Sequence, residues 1–215
     1  MQFETIIFDL DGTLVDSSEG IFNSVKSACE ELNLRQPNDS ELRSFIGPPV
    51  PDSFMRIHGL ADAAAQEATL VFRKYYLTQG IFEARVFEGV SEVLAKLSKS
   101  NLNLAVATYK RESAAKRVLE HFGLAEFFGV VFGADAAHLR RKSHMILDAL
   151  TFFDTPPQRA VLVGDTLHDL QGAREVKVEF VPVLWGFGFE NEADAAAHTR
   201  QFVAKTPREI LRLVD

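Results

Sequence analysis

The sequence predicts an α/β protein: a parallel β-sheet with helices on both faces, and a helical segment inserted after the first strand. Three observations predict it. Five short apolar runs are continuous rather than alternating, the pattern of strands buried on both faces. Segments of helical period lie between them, and parallel strands need such crossovers. Residues ~15–82 break the alternation and read as helices alone. The expected organisation is a sheet-bearing core of residues 1–14 and 83–215, with a helical domain of residues 15–82 inserted in it.

Thr5–Phe8 is the first strand, ending in Asp-Leu-Asp-Gly. Within the insertion, Glu19–Leu32 reads as a helix with Ile21, Phe22, Val25, Ala28, Cys29 and Leu32 on its apolar side. Ser40–Phe45 is a short helix, Gly47–Pro51 a stiff loop and Ala61–Leu77 a further helix. The core resumes with a helix marked by Val90, Val93, Leu94 and Leu97. A second strand, Leu102–Ala107, ends at Thr108. The next helix carries Ala114, Ala115, Val118, Leu119 and Phe122, with Gly123 as its C-cap. Val130–Phe132 is the third strand, and Ile146, Leu147, Leu150 and Phe153 mark the helix after it. Ala160–Val163 ends at Gly164-Asp165, a short helix holds Leu170 and Ala173, and Phe180–Leu184 is the fifth strand. Ala63–Ala65 and Ala195–Ala197 are helix formers.

The chain has 215 residues and a net charge of −7. That excludes broad electrostatic attraction to nucleic acid or anionic lipid. It leaves room for an anionic small molecule, because a few groups around a metal reverse the sign locally. The single cysteine, Cys29, forms no internal disulfide, which fits a cytoplasmic location. The opening residues MQFETIIFDLDG show no signal peptide, and the longest uncharged stretches fall far short of the ~20 residues of a membrane helix. The expected partner is a small molecule, with no nucleic acid and no membrane, for a monomer or homodimer. Phenylalanine is in excess, 18 against 3 Tyr and 1 Trp. Phe8, Phe122, Phe132, Phe152 and Phe153 fit core positions.

Three strands end on chemically useful residues: Asp9, Thr108 and Asp165. In such sheets the ligand sits beyond the carboxyl ends of the strands. Asp9 and Asp11, two apart, project to the same side. Two carboxylates together repel, so the arrangement suits a divalent cation or a shared-proton pair, or is a plain Asp-rich turn. Gly12 and Thr13 suit a tight exit from the strand. Asp165 and Asp169 lie one helical turn apart and face one point, although N-capping and the helix dipole also favour acids there. Together the two motifs supply oxygens for a hard cation such as Mg²⁺. Lys142 stands 23 residues before Asp165. It is either a surface lysine of the run Arg140–Lys142 or the buried ammonium that offsets these carboxylates. Thr108 is an N-cap or an anion-binding hydroxyl. Lys110 and Arg111 add local positive charge or are solvated residues at a helix start.

These residues, in this order, resemble the haloacid dehalogenase-like (HAD) superfamily of phosphotransferases. Asp9–Ser17 is similar to its first motif, Thr108 to the second, Lys142 to the third and Gly164–Asp169 to the fourth. The insertion resembles the small helical cap of the phosphoglycolate phosphatase-like subfamily. Phe45–Pro49 and Leu184–Gly188 resemble a branch with 5′-nucleotidase-like members. Where the family usually has a glycine after the fourth motif's helix, this chain has Val176-Lys177-Val178.

The resemblance implies a Rossmann-like core with a helical cap that closes over the site. It implies a Mg²⁺-dependent phosphatase acting on a small phosphomonoester, such as phosphoglycolate or a nucleoside monophosphate. Asp9 would be the nucleophile, forming an aspartyl-phosphate, and Asp11 the acid and then the base. Asp9, Asp11 through its carbonyl and Asp165 would hold Mg²⁺, with Asp169 a further ligand or an anchor behind those ligands. Thr108 and Lys142 would clamp the phosphoryl oxygens. Gly12, Thr13, Thr108, Tyr109 and Lys142, with Pro48 and Arg56 from the insertion, are the substrate-binding candidates; Pro49 belongs with the latter two. Asp16 and Ser17 cap the Glu19–Leu32 helix or form a hinge. His168 is a helix-surface residue, while Trp185, Phe187 and Phe189 flank the cleft or form an apolar wall. The alternatives are a phosphomutase of the β-phosphoglucomutase type and an idle binding protein for a phosphorylated metabolite.

Overall fold

The computed structural model describes residues 3–135 and 140–214. The first two residues, from which the absence of a signal peptide was partly read, lie outside the described range. The chain divides into two compact units, Met1–Asp16 with Arg85–Asp215, and Ser17–Ala84.

The first unit begins with β1 (Thr5–Phe8) and a short β2 (Val15–Asp16). The second unit follows as α1 (Ser18–Glu31), α2 (Asp39–Arg43), α3 (Val50–His58) and α4 (Asp62–Tyr75). Its own core joins Val25, Ala28, Cys29, Leu42, Phe45, Phe54, Ala65, Ala68 and Phe72. The expected stiff loop over Gly47–Pro51 is shorter than its proline content suggested. Val50 and Pro51 open α3, where proline is tolerated because a first-turn N–H has no helical partner. The expected Ala61–Leu77 helix leaves α-geometry at Tyr75 and ends in one wide π-turn, Tyr76–Gly80. Gly80 permits a close approach there, since a side chain on it would meet the Ser24 hydroxyl at 2.7 Å.

The first unit resumes with β3 (Arg85–Val86), α5 (Val90–Leu97), β4 (Asn103–Arg111), α6 (Glu112–His121) and β5 (Val130–Ala134). Then come α7 (Lys142–Phe152), β6 (Ala160–Gly164), α8 (Leu167–Val176), β7 (Glu179–Pro182) and α9 (Glu192–Ala196). The main sheet has the order β5-β4-β1-β6-β7, with every pairing parallel. β1 is central: Phe8 is in register with Val106 of β4 and with Val163 of β6. The chain moves to one side of β1 with β4 and to the other with β6. Such a reversal of strand order opens a crevice at the carboxyl ends of the strands. Asp9 follows Phe8 into that crevice.

β2 and β3 pair antiparallel, and Arg85 reaches across to Asp16 at 2.9 Å. Asp16 is therefore an ion-pair partner of Arg85. Ser17 occupies the N-cap position, but its side chain makes no capping bond. Among the described helices, none is long and apolar enough to cross a membrane.

Of the five phenylalanines assigned to the core, Phe8 is buried and Phe122, Phe132 and Phe153 are half-buried. Phe152 is 59% exposed, which corrects that expectation. It ends α7, where its ring meets Phe153 edge-on. Phe189 is buried in the main core beside Phe180, an apolar wall and not a cleft residue.

The stretch that lacks the usual glycine has a structural account. Lys177 itself adopts the left-handed conformation, φ 63°, at the C-terminus of α8. A residue with a Cβ is strained there by roughly 1–2 kcal/mol. Lys177→Gly is therefore expected to raise stability by about 1 kcal/mol, measured as the shift in the denaturant midpoint.

Candidate active site

Four segments of the first unit converge beyond the carboxyl end of the sheet. The first is the turn after β1. The Asp9 N–H still donates to the Val163 carbonyl at 2.9 Å, so the side chain is fixed by the sheet's register. Gly12 then turns the chain at φ 88°. A Cβ at Gly12 would lie 2.2 Å from Asp165 Oδ2, so only glycine brings the two motifs this close. The Thr13 hydroxyl donates to Asp165 Oδ1 at 3.3 Å.

The second segment is the β6–α8 junction. Asp165 is fully buried and Asp169 nearly so. Thr166 caps α8: the Asp169 N–H donates to its hydroxyl at 3.3 Å, and its own N–H and hydroxyl donate to Asp169 Oδ2 at 3.0 and 2.7 Å. Asp169 Oδ1 faces Lys142 Nζ at 2.6 Å. The capping role and the site role expected of Asp169 thus belong to one carboxylate, an oxygen for each.

Lys142 is the third element, the first residue of α7. It is 2% exposed, so the surface alternative is excluded. Its ammonium lies 2.6 Å from Asp9 Oδ1 and donates to the Ala107 carbonyl at 2.8 Å. Gly172 of α8 leaves room for its stem, since a Cβ there would sit 2.6 Å from Lys142 Cγ.

Asp9, Asp165 and Asp169 bring ligand oxygens within 4.8 Å of one another. Burial raises the Asp9 pKa to about 7; Lys142 opposes the rise, and Asp169 and Asp11 add to it. Burial, with Asp169 and Asp9, likewise holds Asp165 well above the ordinary carboxylate range, against the N–H of Phe187. Burial works against the charge on Lys142, but Asp169 and Asp9 outweigh it and its pKa is raised. With all three carboxylates ionised, one ammonium leaves two negative charges buried. An all-oxygen donor set with that deficit fits a hard divalent cation.

The Asp11 side chain does not join this cluster. Both its oxygens accept from Lys110 Nζ, each at 2.7 Å. Lys110 belongs to the fourth segment, the end of β4. This strand runs to Arg111, so Thr108 is not a helix N-cap; Arg111 is. Thr108 is 1% exposed and its hydroxyl accepts the Lys110 N–H at 3.2 Å. The Tyr109 hydroxyl accepts the Lys142 N–H at 3.2 Å, and its ring lies 5.5 Å from Lys142 Nζ. His168 is exposed, as expected, and stands edge-on to the Tyr109 ring.

For Trp185 and Phe187, flanking the cleft or forming an apolar wall understates what their segment does. The Phe187 N–H donates to Asp165 Oδ2 at 2.8 Å, and Trp185 Nε1 donates to the Thr13 carbonyl at 3.0 Å. A Cβ at Gly186 would meet Asp165 Cβ at 2.4 Å, and one at Gly188 would meet the Asp165 carbonyl at 2.3 Å. The paired glycines were the signal in the sequence: they let backbone wrap a buried carboxylate. Pro48 and Arg56 belong to the helical unit. There Pro48 is exposed, and Arg56 donates to the Ser44 carbonyl at 2.9 Å.

Residues 6–183 match the model of the haloacid dehalogenase-like hydrolase family. A 5′-nucleotidase of Pseudomonas aeruginosa is 35% identical over 91% of this chain and 89% of its own length. The tyrosine-protein kinase PtkA of Mycobacterium tuberculosis is 36% identical over 91% of this chain and 67% of its own. A solved haloacid dehalogenase-like hydrolase from Streptococcus pneumoniae superposes with a TM-score of 0.91, at 34% identity over 99% of both chains. The main sheet, the carboxylate cluster and these matches agree: the chain is an enzyme of the haloacid dehalogenase-like hydrolase family.

Proposed function

We propose that the protein is a Mg²⁺-dependent phosphatase that hydrolyses a small phosphomonoester through an aspartyl-phosphate on Asp9. The observation that carries the reading is the buried cluster itself: Asp9 lies with Asp165 and Asp169, against the single ammonium of Lys142. The substrate class proposed is a nucleoside monophosphate or phosphoglycolate. The named activity of the Pseudomonas relative supports the former. The free, buried thiol of Cys29 is in keeping with action in the cytoplasm.

Asp9, Asp165 and Asp169 would hold Mg²⁺, with the Asp11 carbonyl as a further oxygen. When bound, the ion neutralises charge on the phosphoryl oxygens and on the cluster. The rest belongs to the chain's own residues. Asp9 is a carboxylate in use, and a carboxylate nucleophile needs no base to activate it once it is ionised. An oxygen of Asp9 bonds to phosphorus as the bond from phosphorus to the leaving oxygen breaks. Asp11 gives its proton to that oxygen. It then takes a proton from the water that attacks the same phosphorus and releases inorganic phosphate, which restores Asp9. Lys142 holds the Asp9 carboxylate by its bond to Oδ1 and, with the Thr108 hydroxyl, offers donors to the non-bridging oxygens.

The deciding experiment is a screen of phosphomonoesters with and without Mg²⁺, following both inorganic phosphate and any phosphorylated acceptor. The reading expects Mg²⁺-dependent release of phosphate; no turnover by a folded, Mg²⁺-binding protein would sink it. Conversion of β-glucose 1-phosphate to the 6-phosphate would instead establish the mutase. Asp9→Asn is expected to lower kcat by at least ~10³-fold without unfolding the protein; retained turnover would refute the nucleophile.

The cluster also sets a pH dependence. In the unfolded chain Asp9 titrates near 3.8, and in the metal-free fold at about 7. Between these values the folded state binds the extra proton, so stability falls as pH rises. Thermal melts in chelator are expected to show Tm dropping from pH 5 to pH 8. Mg²⁺ should flatten that slope by favouring the ionised carboxylates. A metal-free Tm that rises over this window would contradict the cluster's electrostatics.

A further inference from the structure

The strongest feature that the proposed chemistry leaves unused is Lys110. Its side chain is 5% exposed, and from the end of β4 it reaches Asp11, whose side chain is 22% exposed. Burying an ammonium is costly unless it is paired, so a lysine with no task would extend into water. This one makes two charge-assisted bonds of 2.7 Å to a single carboxylate.

The backbone is built to deliver it. Thr108 pairs with Gly133 and Arg111 with Ala134, so Tyr109 and Lys110 are extra residues in β4 with no counterpart in β5. In a regular strand, Tyr109 would turn to the face opposite its neighbours. The bulge removes that alternation. Thr108, Tyr109 and Lys110 then each reach a group at the site: the Lys110 N–H, the Lys142 N–H and the Asp11 carboxylate. Bulges beside active sites re-aim side chains in this way. The irregularity is held in place twice. The Thr108 hydroxyl accepts the Lys110 N–H, and Gly133 lets the bulged backbone pass, since a Cβ there would lie 2.6 Å from the Lys110 carbonyl.

We propose that Lys110 is a positioning residue for the reaction: it fixes the Asp11 side chain on the leaving-group side, out of the Asp9–Asp165–Asp169 cluster. Without it, a carboxylate two residues from Asp9 is free to turn toward the bound cation as a further ligand. There it could serve neither the leaving oxygen nor the attacking water. The inference rests on the reading of Asp11 as acid and base.

Leaving-group dependence tests it. kcat/KM reads only the steps through departure of the leaving group. Proton donation matters for an alkyl ester and little for p-nitrophenyl phosphate, whose phenolate leaves unaided. With Mg²⁺ present, Lys110→Met is expected to lower kcat/KM about 10²-fold on the best alkyl phosphomonoester of the screen. On p-nitrophenyl phosphate the loss should stay under about tenfold. Lys110→Arg, which keeps a cation able to bond both carboxylate oxygens, should recover most of the alkyl-ester rate. The Asp11→Asn, Lys110→Met double variant should lose no more than Asp11→Asn alone. Equal losses on both substrates, with a raised KM, would show a phosphate-binding or purely structural lysine and overturn the proposal. So would wild-type rates on both. If Asp11→Asn itself shows no leaving-group dependence, the acid assignment has failed and Lys110 falls with it. Lys110→Gln carries the same test should the Met variant not fold.

Discussion

The shared ammonium of Lys142 is the interaction on which the site depends. Three buried carboxylates within 4.8 Å cannot all ionise without compensation, and Lys142 is the buried cation placed between two of them. Its position is over-determined. The N-terminus of α7 supplies the residue, the Ala107 carbonyl of β4 holds the third proton-donating direction, and Gly172 of α8 leaves room for the stem. Lys142 thereby ties β1, β4, α7 and α8 together. Removing one member of such a pair leaves an unmatched buried charge, which costs several kcal/mol, on the order of 3–5. The same contact that sets the chemistry therefore also fixes the packing of the helices around it.

The glycines play the complementary part. Gly12, Gly164, Gly186 and Gly188 each stand where a Cβ would strike Asp165 or Asp169. They form a backbone shell around two carboxylates, and through it the Phe187 N–H reaches Asp165. In this shell, polar backbone groups take the place of water beside a charge that the fold has desolvated. That balance is incomplete, as the raised pKa values of Asp9 and Asp165 show. The remaining deficit is what a hard divalent cation would fill.

The strand ends were legible in the sequence because each follows a continuous apolar run, and a parallel strand buried on both faces has no other way to read. Asp9 and Asp165 were visible for the same reason: they directly follow buried strands. Lys142 opens a helix in a basic run, so its burial showed only in the fold. Helix α3 was not visible, because Gly47–Pro51 punctuates the sequence where the helix begins, and prolines in a first turn look like loop. Lys110 was ambiguous because its meaning lies in the bulge at Tyr109–Lys110. A bulge is a property of pairing between two strands, and neither strand shows it alone. Phe152 failed for a simpler reason: helical spacing locates a stripe but not the point where the helix runs past its neighbour.

The net charge of −7 takes on a different meaning once these contacts are in view. Part of the acidic excess is Asp9, Asp11, Asp165 and Asp169, gathered at one point and met there by two lysines that are almost fully buried. The two are not interchangeable. Lys142 bridges Asp9 and Asp169 inside the cluster, whereas Lys110 engages Asp11 outside it. The division sets the three clustered carboxylates apart from the one paired outside them. Asp9 and Asp11 lie two residues apart on one turn, so their local sequence cannot separate them; the strand beside them does, by supplying Lys110 from a bulge. An acidic protein can thus gather four carboxylates at one point and offset them with two lysines, one of them delivered by the bulge of β4 against β5.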